Sequence, residues 1–265
     1  MWPYSPDTTF TDGSTPGVTA AFLNKIQSAI NTVAVPGYER IRCNALSVNQ
    51  TSIIAPLIEG FIAKDAGTGL YVGVPAATAV SIPVSGSSVW QFCYCTVTNG
   101  VPAYSVSTTA PESTKRWMDG TETARYLFCY YVDSYGAVRR FRCRDGEYTY
   151  AEQVFMVGSE ASPAGLFAWP TWITTNFLYP HIPSTAFCSR LNVIAYQNGA
   201  TANTRLYVRA ENDNSDYNTG CKSMFFQADQ NNPQSQIFEV GVSYFQHCGF
   251  YANIAVRILL DGFSE

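Results

Sequence analysis

Apolar residues recur at helical spacing in one segment of the chain, residues 10–33, and the remainder is patterned for strands. The apolar side chains that share one helical face are Phe22, Leu23, Ile26, Ala29, Ile30 and Val33. Thr15 suits the N-cap and Pro16 the first turn, whereas Pro36-Gly37 ends the pattern. We predict an amphipathic helix whose apolar stripe is covered either by the β domain that follows or by the same helix of other subunits.

From residue 38 the pattern changes to short runs rich in β-branched and aromatic residues, separated by Gly, Pro and Asn. Asn99-Gly100 predicts a hairpin, and Asp145-Gly146 predicts a second tight turn. The predicted strands are 51–58, 70–74, 78–84, 89–97, 101–107, 125–132, 137–144, 148–157, 190–196, 204–211, 222–228, 236–245 and 250–260. The predicted fold class is all-β: a short attachment helix, a β-meander and a C-terminal β-sandwich or jelly-roll-like domain.

The domain organisation follows from changes in composition. Residues 162–183 are rich in proline and aromatic side chains, which is typical of an ordered crossover between two β units. We therefore predict an attachment segment at 1–37, a β-rich domain at 38–161 and a β-sandwich-like domain at 162–265.

Two stretches resemble a known class of proteins. The sequence FTDGSTPGVTA followed by FLNKIQSAI, within residues 10–30, resembles the N-terminal attachment segments of bacteriophage tail-fibre, baseplate and other virion appendage proteins. The meander at 107–150 resembles the same class more loosely. In that class a small helical segment fastens a β-rich body to the particle, commonly as a trimer, so the resemblance implies a homotrimer that binds other virion proteins through its N-terminus.

Charge is scarce in this chain of 265 residues. Charged residues make up 14% of it, against about 25% in ordinary soluble domains. Either neighbouring subunits cover much of the surface, or the exterior is rich in Thr, Ser and Asn. The net charge of −4 lacks the basic footprint of nucleic-acid binding. The longest apolar region, 70–84, is interrupted by Pro75 and Pro83, so we expect no membrane insertion.

The cysteines fit a reducing compartment. The N-terminus carries no basic and apolar leader, so we expect synthesis in a host cytoplasm. The eight cysteines are Cys43, Cys93, Cys95, Cys129, Cys143, Cys188, Cys221 and Cys248. Most lie inside apolar runs, and no pair spacing completes a zinc site, so we predict small buried thiols rather than disulfides or metal ligands.

Candidate catalytic residues are few. His181 and His247 are the only histidines, and neither lies in the context of a serine or cysteine triad. Glycoside hydrolysis needs two converging carboxylates, and no spacing along the chain shows convergence. The acidic stretch 211–216 departs from the calcium-loop pattern, which favours a plain turn. We expect no catalytic residue, no metal and no cofactor.

Two groups of side chains are candidates for glycan contact. Arg140, Arg142 and Arg144 alternate with Phe141 and Cys143, so three guanidinium groups line one strand face. This face suits the anionic groups of an acidic surface glycan, while the alternative is ion pairing, since seven basic and seven acidic residues share 112–152. Trp169 and Trp172 suit either sugar stacking or burial between subunits, and the neighbouring prolines favour burial.

The function that these observations favour is structural. We expect a phage particle protein, an oligomeric tail fibre, spike or decoration protein located in the virion, whose outer loops bind the host cell surface. The alternative is a virion-associated enzyme that degrades glycans, and a third hypothesis is a capsid-decorating protein without a receptor role. The residues expected to mediate assembly are Phe22, Leu23, Ile26, Ile30 and Val33.

Overall fold

The computed structural model describes residues 40–112, 123–157, 164–165, 173–175, 181–197, 204–210, 222–226, 234–240, 245–249 and 254–265. The eighteen secondary-structure elements whose limits lie within these described residues are all β-strands, and the sheets are antiparallel. The prediction of an all-β fold is therefore confirmed. The predicted N-terminal helix, with Phe22, Leu23, Ile26, Ile30 and Val33, lies outside the described residues. No helix in the described part of the chain is long and apolar enough to cross a membrane.

The chain divides into two compact units, Met1–Val138 and Arg139–Glu265. The strands of the first unit are β1 (Cys43–Asn49), β2 (Ser52–Ile58), β3 (Phe61–Lys64), β4 (Tyr71–Val74), β5 (Ala77–Ile82), β6 (Val89–Thr98), β7 (Val101–Ser107) and β8 (Ala124–Val132). β2 lies between β1 and β5, β3 pairs with β4, and β6 lies between β7 and β8. The predicted division at residue 161 stays a prediction.

The core of the first unit is built around β8. All nine of its residues are buried, so both faces of this strand are covered. A strand buried on both faces reads as a continuous apolar run, and Tyr126 to Val132 is such a run. Tyr126 contacts the ring of Tyr94 on β6 at 5.8 Å between centroids, and Trp90 contacts Tyr131 at 5.5 Å.

A buried carboxylate joins two turns of the first unit. Asp65 is 1% exposed, and its Oδ1 accepts backbone N–H bonds from Gly67 at 2.8 Å, Thr68 at 3.1 Å and Asn99 at 3.0 Å. Its Oδ2 accepts from the backbone N–H of Gly100 at 2.6 Å. These bonds, the one from Gly100 first, keep the pKa of Asp65 below its ordinary value although burial opposes them. The residue is therefore a structural link between turns.

The second unit contains β9 (Phe141–Arg144), β10 (Glu147–Val157), β11 (Ala164–Gly165), β12 (Ile173–Thr175), β13 (Cys188–Gln197), β14 (Thr204–Ala210), β15 (Lys222–Phe226), β16 (Gln234–Val240), β17 (Phe245–Gly249) and β18 (Ile254–Ser264). One sheet of this unit has the order β16-β13-β18-β10-β9, and β11 pairs with β18. A second sheet has the order β12-β17-β14-β15.

The larger sheet of the second unit has one apolar face. Tyr148 stacks on Phe263 with 4.2 Å between ring centroids, and Phe141 and Tyr150 flank this pair. Leu191, Val193, Ile258 and Leu260 are fully buried, whereas Asn192 and Ile194, which alternate with them on β13, are partly exposed. This period of two places the core on one face, and the opposite face carries polar side chains together with some apolar ones. We call that opposite face the outer face.

Several strand predictions are confirmed and two are wrong. β7 begins and ends at the predicted residues. Asn99 and Asp145 have positive φ angles of 51° and 48°, which is the backbone conformation that the predicted Asn-Gly and Asp-Gly hairpin turns require. The strand predicted at 137–144 begins only at Phe141. The strand predicted at 236–245 is also wrong, since β16 pairs with β13 and β17 lies in the other sheet. The segment between β16 and β17 contains no proline or asparagine that would have predicted a break between two strands.

Candidate functional site

The three predicted arginines lie together on the outer face. Phe141 and Cys143 are buried, while Arg140, Arg142 and Arg144 are exposed. Because β9 alternates in this way, Arg142 and Arg144 share one face of the strand, and Arg140 directly precedes it. We call these three residues the arginine stripe.

Ion pairing does not neutralise the arginine stripe within the part of the chain that the structure describes. Neither of the ion pairs observed between described residues includes Arg140, Arg142 or Arg144. Glu147 lies directly across the turn from Arg144. Its Oε2 instead accepts a bond from Ser264 Oγ at 2.7 Å and lies 3.5 Å from Arg190 Nη1.

Arg190, on β13, is fixed on the outer face by contacts with β10 and β18. Its Nη2 donates to the backbone oxygen of Tyr148 and to Thr149 Oγ1, the latter at 2.7 Å. Its Nε lies 3.9 Å from Asp261 Oδ2. A Cβ at Gly262 would meet Tyr148 O at 1.9 Å and Arg190 Nη2 at 2.8 Å. The glycine is therefore required for this arrangement, because any side chain there would collide with backbone.

Two strand irregularities face each other beside Arg190. From Thr149 to Val154 the β10 strand advances five positions, while β18 advances two, from Gly262 to Leu260. On its other edge β18 has one extra residue, Asp261, between the partners of Arg190 and Leu191. Bulges of this kind re-aim side chains and are frequent next to binding and active sites.

A shallow cavity of about 530 Å³ lies at these bulges. Its lining from β10 consists of Tyr150, Ala151, Gln153 and Phe155, and its lining from β13 and β18 consists of Ile194, Arg257, Leu259 and Asp261. Gln153 Nε2 donates to Asp261 Oδ1 at 3.0 Å, and Gln153 Oε1 accepts from Asn192 Nδ2 at 3.4 Å. Phe155 is 47% exposed. The cavity therefore combines an exposed ring with oriented polar groups.

The histidines have different surroundings from those of a catalytic base. His247 lies on β17 and is 1% exposed, and burial lowers its pKa to about 4. His181 is half-buried, and burial together with the charge of Arg139 lowers its pKa to about 4. Both rings are therefore neutral at pH 7. Tyr150 Oη donates a hydrogen bond to the backbone oxygen of His181 at 2.6 Å. This bond joins the backbone of His181 to β10.

Some of the other predicted site residues lie outside the described part of the chain, and the rest are in structural positions. Trp169 and Trp172 and the acidic stretch 211–216 lie outside the described residues. Within the described residues no cluster of three or more His, Cys, Asp or Glu is arranged to hold a metal ion. Asp133 is a turn residue whose Oδ1 accepts the backbone N–H groups of Tyr135 and Ala137. Six described cysteines are free thiols and five of them are buried, as predicted.

Sequence reasoning missed Arg190, Gln153 and Asp261. Arg190 and Asp261 lie on strands that pair only in the folded chain. One signal was available, since an isolated glycine within an apolar strand, here Gly262, suggests a bulge or a close backbone approach.

Comparisons with known proteins give little. No family model matches the chain, and no curated protein matches it. Among solved structures, the chain is similar to an exo-beta-1,3-galactanase from Phanerochaete chrysosporium with galactose, at 12% identity and a TM-score of 0.24 over 79% of this chain. A variant of that enzyme with beta-1,3-galactotriose is similar at 13% identity, with a TM-score of 0.24 over 80% of this chain. The chain spans 65% and 64% of the length of these two structures. A likeness at this TM-score supports no conclusion about activity.

Proposed function

We propose that the protein is a structural component of a phage particle and that the outer face of its second unit binds an acidic glycan of the host surface. The observation that carries the binding proposal is the arginine stripe, three exposed guanidinium groups that make no ion pair with the described residues. Guanidinium groups recognise carboxylates, sulfates and phosphates through paired hydrogen bonds. The chain as a whole has a net charge of −4, but the arginine stripe is locally positive. Anionic ligands are therefore attracted to this face in particular.

Assembly into a homotrimer and attachment through residues 1–37 belong to the same proposal. The support is the resemblance of residues 10–30 to virion attachment segments. The predicted β-sandwich or jelly-roll-like arrangement of residues 162–265 is also part of it, and the support is the presence of two antiparallel sheets in the second unit. Light scattering coupled to size exclusion tests the assembly. A trimer is expected, and a stable monomer at micromolar concentration would contradict it.

The alternative, a glycan-degrading enzyme, would draw on Glu147 and Asp261, since both approach Arg190. In a glycosidase the space between two carboxylates receives the glycosidic bond. Here the guanidinium of Arg190 lies between these two groups, which favours binding over hydrolysis. Release of reducing sugar from host polysaccharide, lost in a Glu147→Gln variant, would instead support the enzyme.

Affinity for a sulfated glucan tests the binding proposal. Dextran sulfate is the probe and uncharged dextran is its control, measured by interferometry with the full chain immobilised. The double variant Arg142→Gln/Arg144→Gln is expected to weaken dextran sulfate binding by about tenfold at low salt, because two charge-assisted contacts are lost.

A matched control removes the same charge elsewhere. The variant Arg42→Gln/Lys64→Gln also lowers the net charge by two, but both residues lie in the first unit. It is expected to bind like the wild type. Equal loss in both double variants would mean that only net charge matters, and the stripe would then have no specific role.

A further inference from the structure

The cavity beside Arg190 has a chemistry different from that of the arginine stripe. We propose that it binds one pyranose ring of the glycan, with the ring face on Phe155 and ring hydroxyls on Asp261 and Gln153. This inference deepens the proposed function and rests on it. The stripe then supplies contacts to charge, and the cavity supplies recognition of a sugar ring.

The apolar side of the cavity suits the C–H face of a sugar. Phe155 on β10 lies opposite Leu259 on β18, and Ile194 on β13 also lines the cavity. Leu259 is buried while Phe155 is 47% exposed. The ring is therefore supported by an aliphatic neighbour and remains open to a ligand, which is the arrangement in which an aromatic side chain contributes most to stacking.

The polar side of the cavity suits hydroxyl groups. Asp261 Oδ1 accepts from Gln153, and the Gln153 amide is held from its other end by Asn192. A carboxylate and a side-chain amide fixed in this way accept and donate hydrogen bonds to vicinal hydroxyls. The charge of Asp261 is balanced by Arg257 in the same lining and by Arg190 Nε at 3.9 Å, so the cavity has no excess of either charge.

The dimensions of the cavity are those of a small-ligand site. Its volume of about 530 Å³ falls in the range of roughly 300–1,000 Å³ found for ligand pockets. Of the two irregularities that open it, one interrupts the pairing of β10 with β18 and the other the pairing of β13 with β18. Bulges are over-represented next to functional sites, which fits a binding role here.

Saturation-transfer NMR with simple sugars tests the proposal on the full chain. The probes are the methyl pyranosides of glucose, galactose, mannose, N-acetylglucosamine and glucuronic acid. Saturation of ring C–H protons is expected for at least one uncharged member, and a Phe155→Ala variant is expected to reduce it by roughly fivefold through the lost stacking. An Ile237→Ala variant is the control, since Ile237 is a 58% exposed apolar residue on the same sheet, outside the cavity.

The outcomes separate this inference from the proposed function. Saturation that persists in the Arg142→Gln/Arg144→Gln variant supports a sugar subsite separate from the stripe, whatever the dextran sulfate result. Absence of saturation for every probe, or equal saturation in wild type and Phe155→Ala, overturns the subsite while leaving the stripe to its own test.

Hydroxyl-radical labelling without sugar completes the test. A Phe155 ring as unreactive as buried Phe128 would mean that another part of the chain fills the cavity, which also overturns the inference.

Discussion

β8 in the first unit and β10 in the second are both long strands with aromatic side chains, yet they have opposite relations to solvent. Every residue of β8 is buried. In β10, Tyr148 and Tyr150 are buried while Glu147, Thr149, Ala151 and Phe155 are exposed. β8 pairs with β6 through one register shift, whereas β10 has two register shifts against β18, with three extra residues between Thr149 and Val154 and one between Phe155 and Val157.

This difference separates residues that stabilise the fold from residues that are available for contact. A strand covered on both faces offers its side chains no external partner. A strand with one polar face and a bulge keeps its core function and presents oriented groups outward. Arg190 and Gln153 of the second unit lie on that outward side, where Arg190 contacts Thr149 and Gln153 contacts Asp261. Four kinds of variant test this division.

The largest effect is expected from one chemical change made in both strands. Phe128→Ala on β8 is expected to lower the free energy of unfolding by about 3–5 kcal/mol, because it leaves a cavity in a fully buried site. Phe155→Ala on β10 is expected to cost about 1 kcal/mol or less, since its ring is half exposed. Urea denaturation of the two variants measures the difference, and similar losses would refute the distinction.

The next effect concerns the bulge itself. Gly262→Ala would place a methyl group 1.9 Å from the backbone oxygen of Tyr148, so a loss of about 3 kcal/mol is expected. Gly73→Ala is the control, because a Cβ there meets nothing within 4 Å, and it is expected to change stability by about 0.5 kcal/mol. Equal thermal midpoints for the two variants would show that the backbone oxygen of Tyr148 does not lie close to Gly262 in the folded protein.

A pH effect of intermediate size belongs to the second unit, which holds both histidines. Burial lowers the pKa of His247 from 6.5 to about 4. The unfolded chain therefore binds a proton that the folded chain excludes, so stability is full above pH 6.5 and falls as the pH drops toward 4. For His247 alone the loss between pH 7 and pH 5 is roughly 2 kcal/mol.

A His247→Gln variant is expected to flatten this dependence, as followed by denaturant titration at the two pH values. His181→Gln is the comparison, because the pKa of its half-buried ring is also lowered to about 4 and its removal is expected to flatten the dependence as well. The ring-proton titration of wild-type His247 by NMR provides an independent check. A midpoint near 6.5 would contradict the account.

The smallest stability effect is expected at the arginine stripe. Arg142→Gln/Arg144→Gln is expected to change the free energy of unfolding by about 0.5 kcal/mol or less, since the side chains are exposed and make no ion pair with the described residues. Differential scanning calorimetry checks this. A loss above about 2 kcal/mol would mean that the stripe supports the fold rather than a ligand.

Much of the local structure was predictable from sequence. The alternation of arginine with Phe141 and Cys143 placed the stripe on one face, and Asn99-Gly100 placed a hairpin, because both signals depend on neighbours in the chain. The burial of the cysteines likewise followed from their apolar surroundings.

The remainder of the site depends on contacts between distant segments. Arg190 meets Glu147 and Asp261 only because β13, β18 and β10 pair in that order. The extra residues of β10 are defined only against β18, so no pattern within 147–157 reveals them. Strand pairing decides which side chains share a face, and pairing is a property of the whole sheet.

Arginine-selective labelling with phenylglyoxal, read by mass spectrometry on the full chain, tests the central claim most directly. The account predicts that Arg140, Arg142 and Arg144 react readily in the free protein and are protected by dextran sulfate but not by dextran, while Arg42 reacts equally in all three conditions. Unreactive stripe arginines in the free protein, or equal protection of Arg42, would contradict it.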